Sequence, residues 1–149
     1  MATLTGGAKL DAYLRSLAKR IANPKTLQVG FLEGSTYPDG TSVPMVAAIQ
    51  EFGAKNIPAR PFFRNAIAQN KDSWGGTLTK LLKASDLDAT KALNGMGMVM
   101  KEQVQQSIIE LTDPPLAPAT IKRKGFAKPL IDKSVMLNSV DFNVKDGTS

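Results

Sequence analysis

Between residues 7 and 22 apolar side chains recur every third or fourth position: Leu10, Tyr13, Leu14, Leu17, Ala18 and Ile21. That spacing lays them along one stripe of an α-helix. Asn23-Pro24 ends the helix, because a residue before proline is pushed out of the α region. Next comes an alternation, Leu27, Val29 and Phe31 against Thr26, Gln28 and Gly30, which predicts a strand over 26–32. The Pro38-Asp39-Gly40 turn marks the segment 33–43 as an extended loop, with Asp-Gly able to close a hairpin.

The pattern turns helical again at Ser42, a natural N-cap with Pro44 in the first turn, and stops at Gly53. A long helix is predicted from Pro61 to about Ala84. Its apolar side is Phe62, Phe63, Ala66, Ile67, Trp74, Leu78, Leu81 and Leu82. Gly75-Gly76 predicts a kink or break in it, since each glycine costs about 1 kcal/mol relative to alanine. Ser85 with Asp88 resembles a capping box, which would start another helix at 86 and carry it to 111. Its stripe is Ala89, Ala92, Leu93, Met96, Val99, Met100, Val104, Ile108 and Leu111, the strongest periodicity in the chain. The methionines read as core filling rather than a ligand set.

Residues 112–130 change character. Three prolines within five positions make a stiff arm, Ala117 to Lys124 allows one or two helical turns, and Gly125 stops them. A strand is expected over 138–145, from Val140, Phe142 and Val144, and 146–149 reads as a flexible tail. Together these elements predict one α+β domain over residues 1–149. A small antiparallel sheet packs against two long helices, with an N-terminal helix added.

Composition then removes most chemistry. The chain of 149 residues contains neither Cys nor His. Disulfides, thiolate nucleophiles, histidine-based acid/base catalysis and most zinc, haem and iron–sulfur sites are therefore excluded. Among 13 acidic residues no paired-carboxylate or calcium-loop motif stands out, and no Walker or G-x-G-x-x-G pattern follows the glycines at 34 and 40. The expectation is a non-enzyme with no cofactor. Charged residues interrupt residues 1–24, so they do not form a signal peptide, and no apolar run is long enough to span a membrane. The net charge of +6 is concentrated at the two ends of the chain, which suits an acidic protein partner or nucleic acid.

One stretch stands apart, "EFGAKNIPARPFF" at 51–63. Its glycine, two prolines, arginine and paired phenylalanines form a braced connector between two helices. Pro58 and Pro61 stiffen it. Arg60 offers a planar donor fork, either to a neighbouring chain or to its own domain. Phe62 and Phe63 enter either the core or an interface.

The segment "VAAIQEFGAKNIPARPFFRNAI" resembles a signature of the phage virion-morphogenesis family, the tail-completion or head–tail joining (neck) proteins of long-tailed phages. Its elements are Glu51-Phe52-Gly53, then Ile57-Pro58-Ala59-Arg60-Pro61-Phe62 opening a long helix. A second stretch, "PLAPATIKRKGFAKPLIDKSVMLNSV", is similar to the family's C-terminal element. It departs from it at Lys133-Ser134, where the family usually has Thr-Gly.

The resemblance covers roughly residues 25–145. It implies a non-catalytic structural virion protein at the head–tail junction, made and assembled in the host cytoplasm. It also implies a homo-oligomeric ring, sixfold to match the tail. Its partners would be head-connector or adaptor proteins and tail terminator or tail-tube proteins. Phe52, Gly53, Pro58, Arg60, Pro61 and Phe62 become the candidate interface residues. Lys122, Arg123, Lys124 and Lys128 could face packaged DNA or an acidic partner surface. Their contact with DNA would be phosphate-based and non-specific. The competing reading is a small basic, non-specific DNA-binding protein.

Overall fold

The computed structural model describes residues 6–111 and 134–147. Helix α1 spans Gly7–Ile21, strand β1 Lys25–Phe31, α2 Val43–Phe52, α3 Phe62–Ala84, α4 Ala89–Ile109 and β2 Val140–Asp146. A short helical turn at 134–138 precedes β2. The fold is α+β, as the alternation of periods predicts.

The two strands are antiparallel, with Leu27 opposite Val144, Val29 opposite Phe142 and Phe31 opposite Val140. Directly opposed residues share one face of a sheet, so these six apolar side chains form one layer. That layer lies on α4. Gly97 of α4 makes the close approach possible, since a Cβ there would sit inside the Phe142 ring. Helix α3 packs along α4, and α2 closes against α3. The buried cluster joins Val43, Ala47, Phe62, Ala66, Val104, Ile108, Met136 and Val140, with the Phe31 and Phe62 rings edge to face at 5.8 Å.

Two expectations for the long helices are corrected. Helix α3 runs unbroken through Gly75-Gly76. The glycines sit on an exposed face, while Trp74 Nε1 donates to Gln103 Oε1 of α4 at 2.8 Å and Leu81 packs against Gly95. Packing along α4 on both sides of the pair outweighs the weak propensity. Helix α4 starts at Ala89, not 86. Asp86 and Leu87 adopt φ of 53° and 59°, outside the helical region, and Asp88 is the N-cap that accepts from Lys91 N–H at 3.1 Å. Ser85 instead ends α3, its N–H donating to the Leu81 carbonyl. A smaller shift concerns Pro61, which occupies the position before α3, so that the helix begins at Phe62.

The loop at 33–43 is tied down. Gly40 N–H donates to the Tyr37 carbonyl and Tyr37 N–H to the Thr41 carbonyl, while Asp39 Oδ1 accepts from Thr41 N–H. Thr36 and Ser42 form an antiparallel bridge across this small hairpin. Val43 N–H donates to Ser35, and the Ser42 hydroxyl caps α2 at Met45 N–H.

Helix α1 takes no part in the principal packing pairs. Its Leu10, Tyr13 and Leu14 are each about half exposed. A tether at its end is Arg20, whose Nη1 donates to the Asp86 carbonyl at 2.6 Å and to Asp86 Oδ2 at 2.8 Å. The first half of the α1 stripe, Leu10, Tyr13 and Leu14, therefore has the spacing of a core-facing helix but stays outside the core.

Candidate interface built on the α2–α3 joint

The segment 51–63 folds into a closed hydrogen-bonded joint. Gly53 ends α2 with φ 76° and its N–H on the Ile49 carbonyl. A side chain is excluded there twice over. That φ disfavours any Cβ, and a Cβ would also meet the Ile57 carbonyl oxygen at 2.8 Å and Ala59 N at 2.9 Å. The chain then makes a tight turn in which Ala54 and Ile57 exchange two backbone hydrogen bonds. Asn56 occupies the left-handed region at φ 65°, which asparagine tolerates better than most residues. Arg60 N–H returns to the Gln50 carbonyl at 2.5 Å.

A helix leaves the N–H groups of its N-cap and first three residues without intrahelical partners, and at α3 these are accounted for. The N-cap Pro61 has no N–H, Phe62 N–H donates to the Arg60 carbonyl at 2.8 Å, and Asn65 N–H opens the helical ladder on the Pro61 carbonyl at 2.9 Å. The other two go to one carboxylate: Phe63 N–H to Glu51 Oε2 at 2.9 Å and Arg64 N–H to Oε1 at 3.2 Å. Glu51 is buried, at 7% exposed. Its charge is met by Arg64, whose Nε donates to Oε1 at 2.7 Å and whose Nη2 donates to the Glu51 carbonyl at 2.7 Å. A carboxylate at a helix N-terminus also complements the positive end of the helix dipole. Its remaining neighbour is a weak point: Gln50 Oε1 is buried and meets no hydrogen-bond partner.

The residues singled out from the sequence separate into two sets. Phe62 and Arg60 are buried, at 1% and 7% exposed, and Gly53 and Pro61 are half-buried. These hold the joint together from inside the chain. Pro58 is exposed. Phe52 is 72% exposed, and the Arg64 guanidinium lies 5.5 Å from the centre of its ring. Met45, one face-repeat earlier on α2, is 53% exposed, Ala48 between them is exposed, and Ile57 is 42% exposed. Helix α2 thus buries Val43, Ala47 and Glu51 and turns an apolar stripe outward. Lys122, Arg123, Lys124 and Lys128 lie outside the described residues, as does the arm at 112–130.

Sequence reasoning missed the roles of Glu51 and Arg64. Glu51 was legible as part of a motif, and the signal for its function was its place on the inward side of α2 with Val43 and Ala47, where an acid needs a partner.

Among the described residues no group of three or more His, Cys, Asp or Glu could hold a metal ion. No helix among them is long and apolar enough to cross a membrane. A shallow groove of about 360 Å³ runs over the polar face of the strand pair, along Gln28, Gly30, Asp141 and Asn143. Comparisons with protein-family models, curated proteins and solved structures found no match.

Proposed function

We propose that this chain is a structural virion protein that forms a ring at the head–tail junction, completing the tail or neck and joining it to the head without catalysis. The observation that carries the reading is the pair of separate apolar surfaces a single chain leaves exposed. One is the α1 stripe of Leu10, Tyr13 and Leu14. The other is the α2 stripe of Met45 and Phe52. A ring subunit needs two different faces, one for each neighbour. The α2 face also has an aromatic anchor with an arginine stacked on it, a pairing enriched at interface centres. Behind it, the closed Glu51–Arg64 joint holds that face rigid, which lowers the entropy cost of docking. The motif resemblance supplies the setting, the phage neck.

The test is single-particle imaging or mass photometry of the full chain, alone and with tails or head connectors. The expected result is a discrete ring. Phe52→Ser and Leu14→Ser each disrupt one face and leave no ring. Their equimolar mixture restores one sound contact and gives pairs. A monomer that binds neither tails nor connectors overturns the reading. Salt-sensitive duplex-DNA binding lost on combining Lys122→Ala, Arg123→Ala and Lys124→Ala points instead to the DNA-binding alternative.

A further inference from the structure

The turn between α3 and α4 closes α3 in the way a glycine usually does, but it contains no glycine. Leu87 N–H donates to the Leu82 carbonyl at 2.8 Å and Asp86 N–H to the Lys83 carbonyl at 3.4 Å. This pair of bonds ends a helix on a left-handed residue, at a position where glycine is the ordinary choice. Here that residue is Asp86, at φ 53°, and Leu87 follows at φ 59°. Aspartate visits the left-handed region at some cost, and a bulky side chain such as leucine does so rarely. Backbone strain of this kind points to something the position does besides turning the chain.

What Asp86 does is hold Arg20. The left-handed turn presents its carbonyl and its carboxylate to one nitrogen, Arg20 Nη1, at 2.6 and 2.8 Å. Among the described residues these contacts are the only hydrogen bonds or ion pair that tie α1 to the rest of the chain. Arg15 is occupied within the helix by Asp11. The link from α1 to β1 is residues 22–24, all exposed. We propose that α1 is a releasable arm, and that Asp86 keeps its left-handed place in the turn as the clasp for Arg20. When clasped, α1 presents Leu10, Tyr13 and Leu14 in a fixed direction. When released, it is a helix of 15 residues with no packing surface, and a helix of that length is marginal alone in water. The order of the arm thus depends on one ion pair whose side chains are 35% and 74% exposed, open enough for salt to weaken it. Where the stripe serves as a ring face the clasp sets its aim, but the clasp itself does not rest on that reading.

Amide hydrogen exchange of the full chain separates the arm from the turn. Asp86→Asn removes the charge and keeps a residue that tolerates the left-handed region. Arg20→Gln removes the charge from the other side. Each should lower the protection of the α1 amides about threefold and leave α3 and α4 unchanged. Raising salt to about 0.5 M should do the same to the native chain, with little further effect on either variant. Asp86→Gly should also lower α1 protection, yet hold or raise the melting temperature, because glycine relieves the turn. The same losses should appear in the Phe52→Ser chain, whose proposed ring face is gone. The proposal is overturned if α1 exchanges freely in the native chain or keeps its protection in these variants. A fall shared by α3 and α4, or a lower melting temperature in Asp86→Gly, overturns it equally.

Discussion

Glu51 and Arg64 grip each other at both ends of the glutamate. The Arg64 Nε sits 2.7 Å from the Glu51 carboxylate, and its Nη2 sits 2.7 Å from the Glu51 backbone carbonyl. One arginine thus caps the end of α2 and neutralises the acid that caps the start of α3. Removing the acid should be felt by both helices. Glu51→Ala strands the N–H groups of Phe63 and Arg64 beside a buried site. The expected loss is about 2–3 kcal/mol of unfolding free energy. Urea denaturation checks it, and a loss below about 0.5 kcal/mol would show that water replaces the carboxylate.

The glycines of this chain should respond in opposite directions. Gly53→Ala meets a positive φ and a backbone oxygen at 2.8 Å, so it should destabilise by about 2 kcal/mol or more. Gly76→Ala adds a methyl group to open space inside a continuous helix. It should stabilise by about 0.5–1 kcal/mol. Thermal melts of the two variants, run side by side, should move apart.

Gly97 tests the sheet-to-helix contact. An added methyl group at Gly97→Ala collides with the Phe142 ring, which must shift or tilt. A cost of about 1–3 kcal/mol is expected. Phe142→Leu should cost stability alone yet relieve part of the Gly97→Ala penalty. The double-mutant cycle should therefore show coupling of about 0.5 kcal/mol or more. Strict additivity would mean that the ring does not rest on Gly97.

Gln50 offers the reverse experiment. Its buried Oε1 meets no hydrogen-bond donor. Gln50→Met keeps the length of the side chain and removes the stranded acceptor, leaving the backbone carbonyl that serves Arg60. Stability should hold or rise by about 1 kcal/mol. A drop in the melting temperature of several degrees, about 2–4 °C per kcal/mol for a chain of this size, would show that the amide has a partner.

Much of this architecture could be read along the chain because it rests on local rules. The period of Ala92, Met96, Val104 and Ile108 predicts α4 and its inward face, and all four are buried. Ser42 and Gly53 bound α2 as their cap chemistry requires. What could not be read was tertiary. The Gly75-Gly76 pair is a breaker by propensity, and packing along α4 overrides it. The α1 stripe has the spacing of a core-facing helix, yet Leu10, Tyr13 and Leu14 stay half exposed, because periodicity gives a face without saying what meets it. Within the joint, glycine and proline announced the turn. The Glu51–Arg64 pairing spans 13 positions, and no local pattern relates an acid in one helix to the first turn of the next.

The strand pair joins Lys25 to Asp146, 121 positions apart. A ribosome delivers the chain from its N-terminus, so β1 emerges long before its partner exists. Helix α4 appears with its sheet-facing side, Gly97 included, still uncovered. The helices can pair as they emerge, but the apolar layer waits for β2. Closing so distant a contact is slow, since the loop entropy comes before the reward. During that wait β1 is a bare strand with two unpaired edges, and it is most open to a wrong partner. Translation stalled before β2 should therefore leave a sticky, helical intermediate, and the final strand acts as the latch that ends its exposure.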